Sequence, residues 1–191
     1  DRRFQRWLID SEQAYYFVPL QLEGDSQITQ HSPFSSNLEF IMRVLQSFAA
    51  HAPADTRLVF RQHPHARGGP GHKGFIMGLA AALNIQHRVH HMTEGDTPDI
   101  AQHSLGTVVI NSTVGLQALE RGVPLIALGE SFYKRPDLTF SGELDDFWMK
   151  RKKPDPVKTL AFLAQLKCLT QTPASVYALR SEPLSWSALL D

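Results

Sequence analysis

The chain has 191 residues, 42% hydrophobic and 20% charged, which is enough for one well-buried core. Its 19 basic and 19 acidic residues cancel, so no global field exists to recruit nucleic acid. A single cysteine, Cys168, excludes an internal disulfide and suits a reducing compartment. No apolar run approaches the length of a membrane span, and no signal peptide is visible. A start at Asp1 without Met reads as a piece of a longer protein.

Residues 1–14 read as an extension or the remnant of a preceding lobe, 15–172 as one Rossmann-like domain, and 173–191 as a Pro/Ser-rich tail. The stretch Tyr15-Tyr16-Phe17-Val18-Pro19-Leu20 is a strand pattern closed by Pro19. Polar 21–27 follows as a loop. Ser35 or Ser36 caps a helix reaching His51, with Leu38, Ile41, Met42, Leu45 and Phe48 on one face. The second strand covers 57–61, and a Gly/Pro-rich surface loop, 67–71, leads to a helix over 73–83. A third strand spans 88–92, and Thr97 opens a short helix over 98–103. Strand four is 107–110, followed by a helix over 114–121 that Gly122 ends. Strand five is 124–128, and a last helix runs over 157–169. Its apolar run makes Cys168 a buried small hydrophobe. Alternation of this kind argues for an α/β fold with a doubly wound parallel sheet.

Ligands of such sheets bind beyond the carboxyl ends of the strands. Arg61-Gln62-His63-Pro64 ends strand two: Pro64 stops the strand and leaves the His63 imidazole at the sheet edge, able to donate to a phosphate or ribose oxygen. Asn111-Ser112-Thr113-Val114-Gly115 joins strand four to a helix, offering hydroxyls, a carboxamide and backbone N–H groups to a nucleotide phosphate. Ser112 or Thr113 serves equally as a plain N-cap. Gly115 lets a ligand approach closely. Glu23 and Asp25 follow strand one with the spacing of a turn, and also suit a nucleophile or general base in sugar transfer. After strand five, Glu130 could hold ribose hydroxyls, whereas Phe132 reads as a core ring. His87, His90 and His91 lack a companion Cys or carboxylate at metal-ligand spacing. The run Lys150-Arg151-Lys152-Lys153 reads as a solvated basic edge.

Taken in order, these segments resemble the capsule polysaccharide biosynthesis/export family, whose members look like glycosyltransferases that add Kdo from CMP-Kdo. The resemblance rests on the 18–28 stretch Val18-Pro19-Leu20-Gln21-Leu22-Glu23-Gly24-Asp25-Ser26-Gln27-Ile28, the His63-Pro64 turn and Ile110-Asn111-Ser112-Thr113-Val114-Gly115. Ala127-Leu128-Gly129, Leu138-Thr139-Phe140, Leu144-Asp145-Asp146-Phe147-Trp148 and Thr170-Gln171 extend it. Pro136-Asp137-Leu138 stands where Pro-Gly-Leu is expected, and Thr172-Pro173-Ala174-Ser175 departs from the usual Asn-Gly-Ser. The resemblance implies the nucleotide-binding lobe of a GT-B glycosyltransferase. It places Gln21, His63, Pro64, Asn111, Ser112, Thr113, Gly115 and Glu130 around the nucleotide, and makes Asp25, with Glu23, the candidate catalytic carboxylate. It implies a CMP-sugar donor, a lipid-linked glycan acceptor, no metal, and a cytoplasmic location with peripheral contact to the inner membrane and export machinery. A non-catalytic assembly or export module with a vestigial nucleotide site is the alternative.

Overall fold

The computed structural model describes residues 2–22, 24–66 and 71–170; Glu23, residues 67–70 of the Gly/Pro loop, the Gln171 end of the last matching motif and the tail lie outside the described residues. Five parallel strands, β1 (Tyr15–Pro19), β2 (Arg57–Arg61), β3 (Val89–Met92), β4 (Gly106–Val109) and β5 (Leu125–Ala127), form one sheet in the order β3-β2-β1-β4-β5. The chain builds outward from β1 through β2 to β3, then returns to the other flank for β4 and β5. The direction of winding therefore reverses between β1 and β4, which is where α/β sheets open a crevice.

Every residue of β1, β4 and β5 is buried, as expected of parallel strands covered on both faces. Period-2 alternation sends Tyr16, Val18, Leu58, Phe60 and Val108 to one face, where they share a core with Phe40, Ile41, Val44, Phe48 and Trp148. That core belongs to α3 (Asn37–His51), α4 (Lys73–Ala82) and α7 (Leu144–Lys150). Tyr15, Phe17, Val59 and Met92 face the other way, against Leu8 of α1 (Arg2–Asp10) and Ile100 and Ala101 of α5 (Thr97–Gln102). Residues 2–10, set outside the sheet domain on sequence, thus form a helix packed on the sheet.

Local chemistry sets several helix starts. Ser36 accepts from the Glu39 N–H at 3.3 Å, while the Glu39 carboxylate reaches back to the Ser35 N–H at 2.8 Å, which holds that carboxyl below its ordinary range. The cap of α5 is Asp96, one residue before the expected Thr97, and accepts from the Asp99 N–H at 2.8 Å. Two sequence expectations fail, the first through a long-range contact and the second for want of an apolar helix face. Arg151 is no solvated edge residue: its guanidinium lies over the Tyr16 ring and donates to the Tyr16 hydroxyl at 2.7 Å. Residues 1–159 form one compact unit, and the described part of the second unit is residues 160–170 of α8 (Pro156–Thr170). There Cys168 is exposed, not buried, and so are Leu160 and Leu169, because the apolar residues of α8 do not gather on one face.

His90 and His91 point to opposite faces. His90 stacks at 4.8 Å from Phe4 of α1, whereas both ring nitrogens of the half-buried His91 are shut off from water without a partner. Burial, reinforced by Lys73 and His72, pushes the His91 imidazole down to about 4. An unfolded histidine binds a proton near pH 6.5, so between about 6.5 and 4 the unfolded state holds more protons and stability falls with decreasing pH. His91→Gln is expected to flatten that part of the stability profile, measured by urea unfolding from pH 7 to 4. A profile unchanged by the substitution would remove His91 as its source.

Candidate functional site

A cavity of about 610 Å³ opens at the winding reversal, within the usual range for small-molecule sites. The segment after each of β1, β2, β4 and β5 supplies part of its wall: Gln21, Leu22 and Asp25; His63; Asn111, Ser112 and Thr113; and Glu130, Ser131 and Phe132. Residues from four separate stretches of the chain are brought together by topology alone.

The floor is a carboxamide pair. Buried Gln21 donates from Nε2 to Asn111 Oδ1 at 3.0 Å and accepts from the Asn111 N–H at 3.3 Å. Asn111 Nδ2 donates to the Gln27 carbonyl at 2.8 Å, and Asn37 Nδ2 donates to the Gln21 carbonyl at 2.9 Å. These amides stitch the β1 and β4 ends together, so their polar groups frame the site and are largely used within the protein.

Asp25 sits where the chain turns. The expected loop continues as a short helix, α2 (Ser26–Gln30), and Asp25 is its N-cap, accepting from the Gln27 N–H at 2.9 Å. Its other oxygen receives a long 3.4 Å contact from Gln21 Nε2 and borders the cavity. The turn reading and the cavity position therefore hold together in one residue. His31, at the end of α2, also lines the cavity; reading 21–27 as a loop hid it.

His63 carries the most informative geometry. The His65 N–H donates to His63 Nδ1 at 3.2 Å, so in the neutral ring the proton resides on Nε2. Burial, then His65 and Arg61, lower the His63 pKa against the opposing pull of Asp25. Near neutral pH the ring is thus an uncharged Nε2–H donor beside the cavity. Pro64 leaves this wall and lines a second cavity on the α1 side of the sheet.

Ser112 Oγ accepts from the Val114 N–H at 3.2 Å, giving the capping contact at the start of α6 (Val114–Glu120). Thr113, at the N-cap position, makes no side-chain cap bond, and its exposed side chain lines the cavity. Gly115 is not an opening for a ligand. A Cβ there would lie 2.7 Å from the buried Tyr133 ring and hydroxyl, and that hydroxyl donates to the Ser112 carbonyl at 2.5 Å. The aromatic roles after β5 are also exchanged: Tyr133 is the core ring, and Phe132, 54% exposed, stands at the cavity rim beside Glu130.

Residues 2–177 match the family model described as "Capsule polysaccharide biosynthesis protein". The chain belongs to this capsule polysaccharide biosynthesis family. This family member is 33% identical over 172 residues to the capsule polysaccharide export protein KpsS of Escherichia coli, covering 90% of the chain and 44% of KpsS. It is 34% identical over 165 residues to the capsule polysaccharide modification protein LipB of Neisseria meningitidis serogroup B, covering 86% of the chain and 39% of LipB. The chain thus spans less than half the length of these relatives. Among solved structures it is similar to the Thermosulfurimonas dismutans KpsC beta Kdo 2,7 transferase, with a TM-score of 0.51 at 20% identity over 83% of this chain and 50% of that one. The likeness shows a Rossmann-like α/β fold. Among the described residues no helix is long and apolar enough to cross a membrane.

Proposed function

We propose that the cavity at the β1/β4 reversal binds the CMP part of a CMP-activated sugar acid, Kdo, and that this chain is the donor-binding portion of a capsule glycosyltransferase. Its acceptor would be a lipid-linked glycan presented at the inner-membrane face near the export machinery. The observation that carries the reading is His63: Nδ1 is engaged by the His65 backbone, which leaves an Nε2–H donor at the mouth of a cavity shared with Thr113 and Asp25.

In this reading the His63 Nε2–H and the Thr113 hydroxyl meet the phosphate, and no metal is invoked. Glu130 accepts from ribose hydroxyls, and the Phe132 ring offers an apolar edge to the base. Asp25 attacks the anomeric carbon of Kdo; the bond to the CMP oxygen breaks and CMP leaves with the electron pair. A glycosyl ester on Asp25 then passes the sugar to the acceptor hydroxyl, whose proton is lost to solvent or a base. The Thermosulfurimonas protein that shares the fold is itself a Kdo transferase by name, which supports sugar transfer as the chemistry.

The test is calorimetric. His63→Ala is expected to weaken CMP binding by about tenfold or more, the effect of losing one hydrogen bond to a charged group. Equal affinity in wild type and variant, or no binding by either, would overturn the assignment. The names of the curated relatives, export and modification proteins, favour a second reading in which the module assists assembly without transferring sugar. It differs in requiring nothing of Asp25 beyond its cap.

A further inference from the structure

Pro64 directs attention to the opposite side of its turn. There a second cavity, of about 780 Å³, lies beyond the ends of β2 and β3 on the α1 face. Three guanidinium groups line it: Arg61 from the last position of β2, and Arg2 and Arg6 from successive turns of α1.

Arg61 is the unusual member. Only 9% of it is exposed, because strand alternation points it, like Val59, towards the α1 face. It donates from Nη2 to the Gly95 carbonyl at 2.8 Å, yet its buried Nε–H has no partner. Asp96 gives Arg61 a negative neighbour, but a buried guanidinium with a donor unmet remains costly, and further negative charge in the cavity beside it offsets that cost. Its surroundings are held in place. Buried Gln5 of α1 accepts from the Asp96 N–H at 2.9 Å and donates to Asp99 at 2.6 Å. Gly95, at φ +129°, permits this close approach, since a Cβ there would lie 2.8 Å from Gln5 Oε1.

The lining is mixed in charge. Glu94 and Asp96 border the same cavity as the arginines. Such a set disfavours a bare phosphate dianion, which the carboxylates repel. It suits a polyhydroxylated acid, whose carboxylate pairs with guanidinium while its hydroxyls donate to Glu94 and Asp96. We propose that this cavity is a subsite for a carboxylate-bearing sugar unit of the acceptor glycan, with Arg61 as its anchor and Arg2 and Arg6 closing over the acid group. The proposal rests on the glycan-handling reading above and deepens it: the His63-Pro64 turn would stand between a donor cavity and an acceptor subsite.

The experiment records ¹H–¹⁵N spectra of the 191-residue chain titrated with free Kdo, glucose or inorganic phosphate, with no nucleotide present. Kdo is expected to shift the Arg61 Nε–H and Gly95 N–H signals saturably, and glucose to leave them in place. Arg61→Gln should weaken Kdo binding at least about tenfold. Since Arg61 is buried, the double variant Arg2→Gln/Arg6→Gln, on the exposed side of α1, provides a second arm with the anchor intact, and should weaken binding at least about threefold. Unmoved Arg61 and Gly95 signals with Kdo, or shifts with phosphate as large as those with Kdo, would overturn the subsite. A chain that shows the Kdo shifts but binds no CMP keeps the subsite and loses the donor assignment; CMP binding without the Kdo shifts does the reverse.

Discussion

Asp25→Asn is expected to cut CMP release from CMP-Kdo at least about a thousandfold, the scale of losing a catalytic nucleophile. The substitution is chosen because of where Asp25 sits. Its Oδ1 caps α2 through the Gln27 N–H, and asparagine ranks with aspartate as an N-cap, so the turn and the cavity wall persist. Only the carboxylate is removed. Asp25→Ala would mix the two roles, since loss of the cap alone costs about 1 kcal/mol and loosens the segment that carries His31. Release of CMP in the absence of acceptor is the proper readout, because it asks only for donor binding and the first displacement. Undiminished release by Asp25→Asn would leave Asp25 as a cap and shift weight to the assembly or export reading.

Trp148→Ala should destabilise the chain by about 3–5 kcal/mol in urea unfolding. The indole is fully buried, edge-on to Tyr16 at 4.8 Å and to Phe48 at 5.4 Å. Its Nε1–H donates to Ser47 Oγ at 2.7 Å, and Ser47 in turn donates to Asp145 at 2.6 Å. Arg43 pairs with the same carboxylate at 2.9 Å; the Ser47 bond first, and Arg43 next, hold the Asp145 carboxyl below its ordinary range. One side chain therefore clamps α7 to α3 and to the middle of the sheet. Trp148→Phe keeps much of the ring and loses the Nε1–H bond, so its cost should stay near about 1–2 kcal/mol. A loss below about 1 kcal/mol for Trp148→Ala would mean that the site collapses on the vacated space.

The strands were legible because a parallel sheet covered on both faces demands unbroken apolar runs, and 15–19, 107–110 and 125–128 supply them. The helix α3 was legible from Ser36, but only Ile41, Leu45 and Phe48 of its expected stripe are buried: Leu38 and Met42 are exposed, and Phe40 and Val44 face the core in their place. What escaped was set at a distance. Residues 1–14 read as an extension, yet Phe4 and Leu8, four apart, pack α1 on the sheet, and the neighbouring Gln5 is buried with its amide satisfied by Asp96 and Asp99, far along the chain. Helices α2 and α7 are five and seven residues long, too short for periodicity to register, and they lack the Pro in the first turn or the Gly just past the end that marked the equally short α5 and α6. The same division runs through the site. That His63, Ser112, Thr113 and Glu130 meet was legible, because strand ends converge at a winding reversal. That Gln21 and Asn111 satisfy each other, and that Tyr133 rather than Phe132 turns inward, depends on pairings no local pattern announces.

The contact between Gly115 and Tyr133 reaches beyond this molecule. A side chain at the first position and a full phenol ring at the second cannot share the space now filled by the ring, and that ring also tethers the Ser112 carbonyl. Drift at either position is therefore yoked to the other. Capsule proteins of this family with alanine or larger at the equivalent of Gly115 should carry a smaller residue at the equivalent of Tyr133, and their serine at the equivalent of Ser112 should be held by some other means.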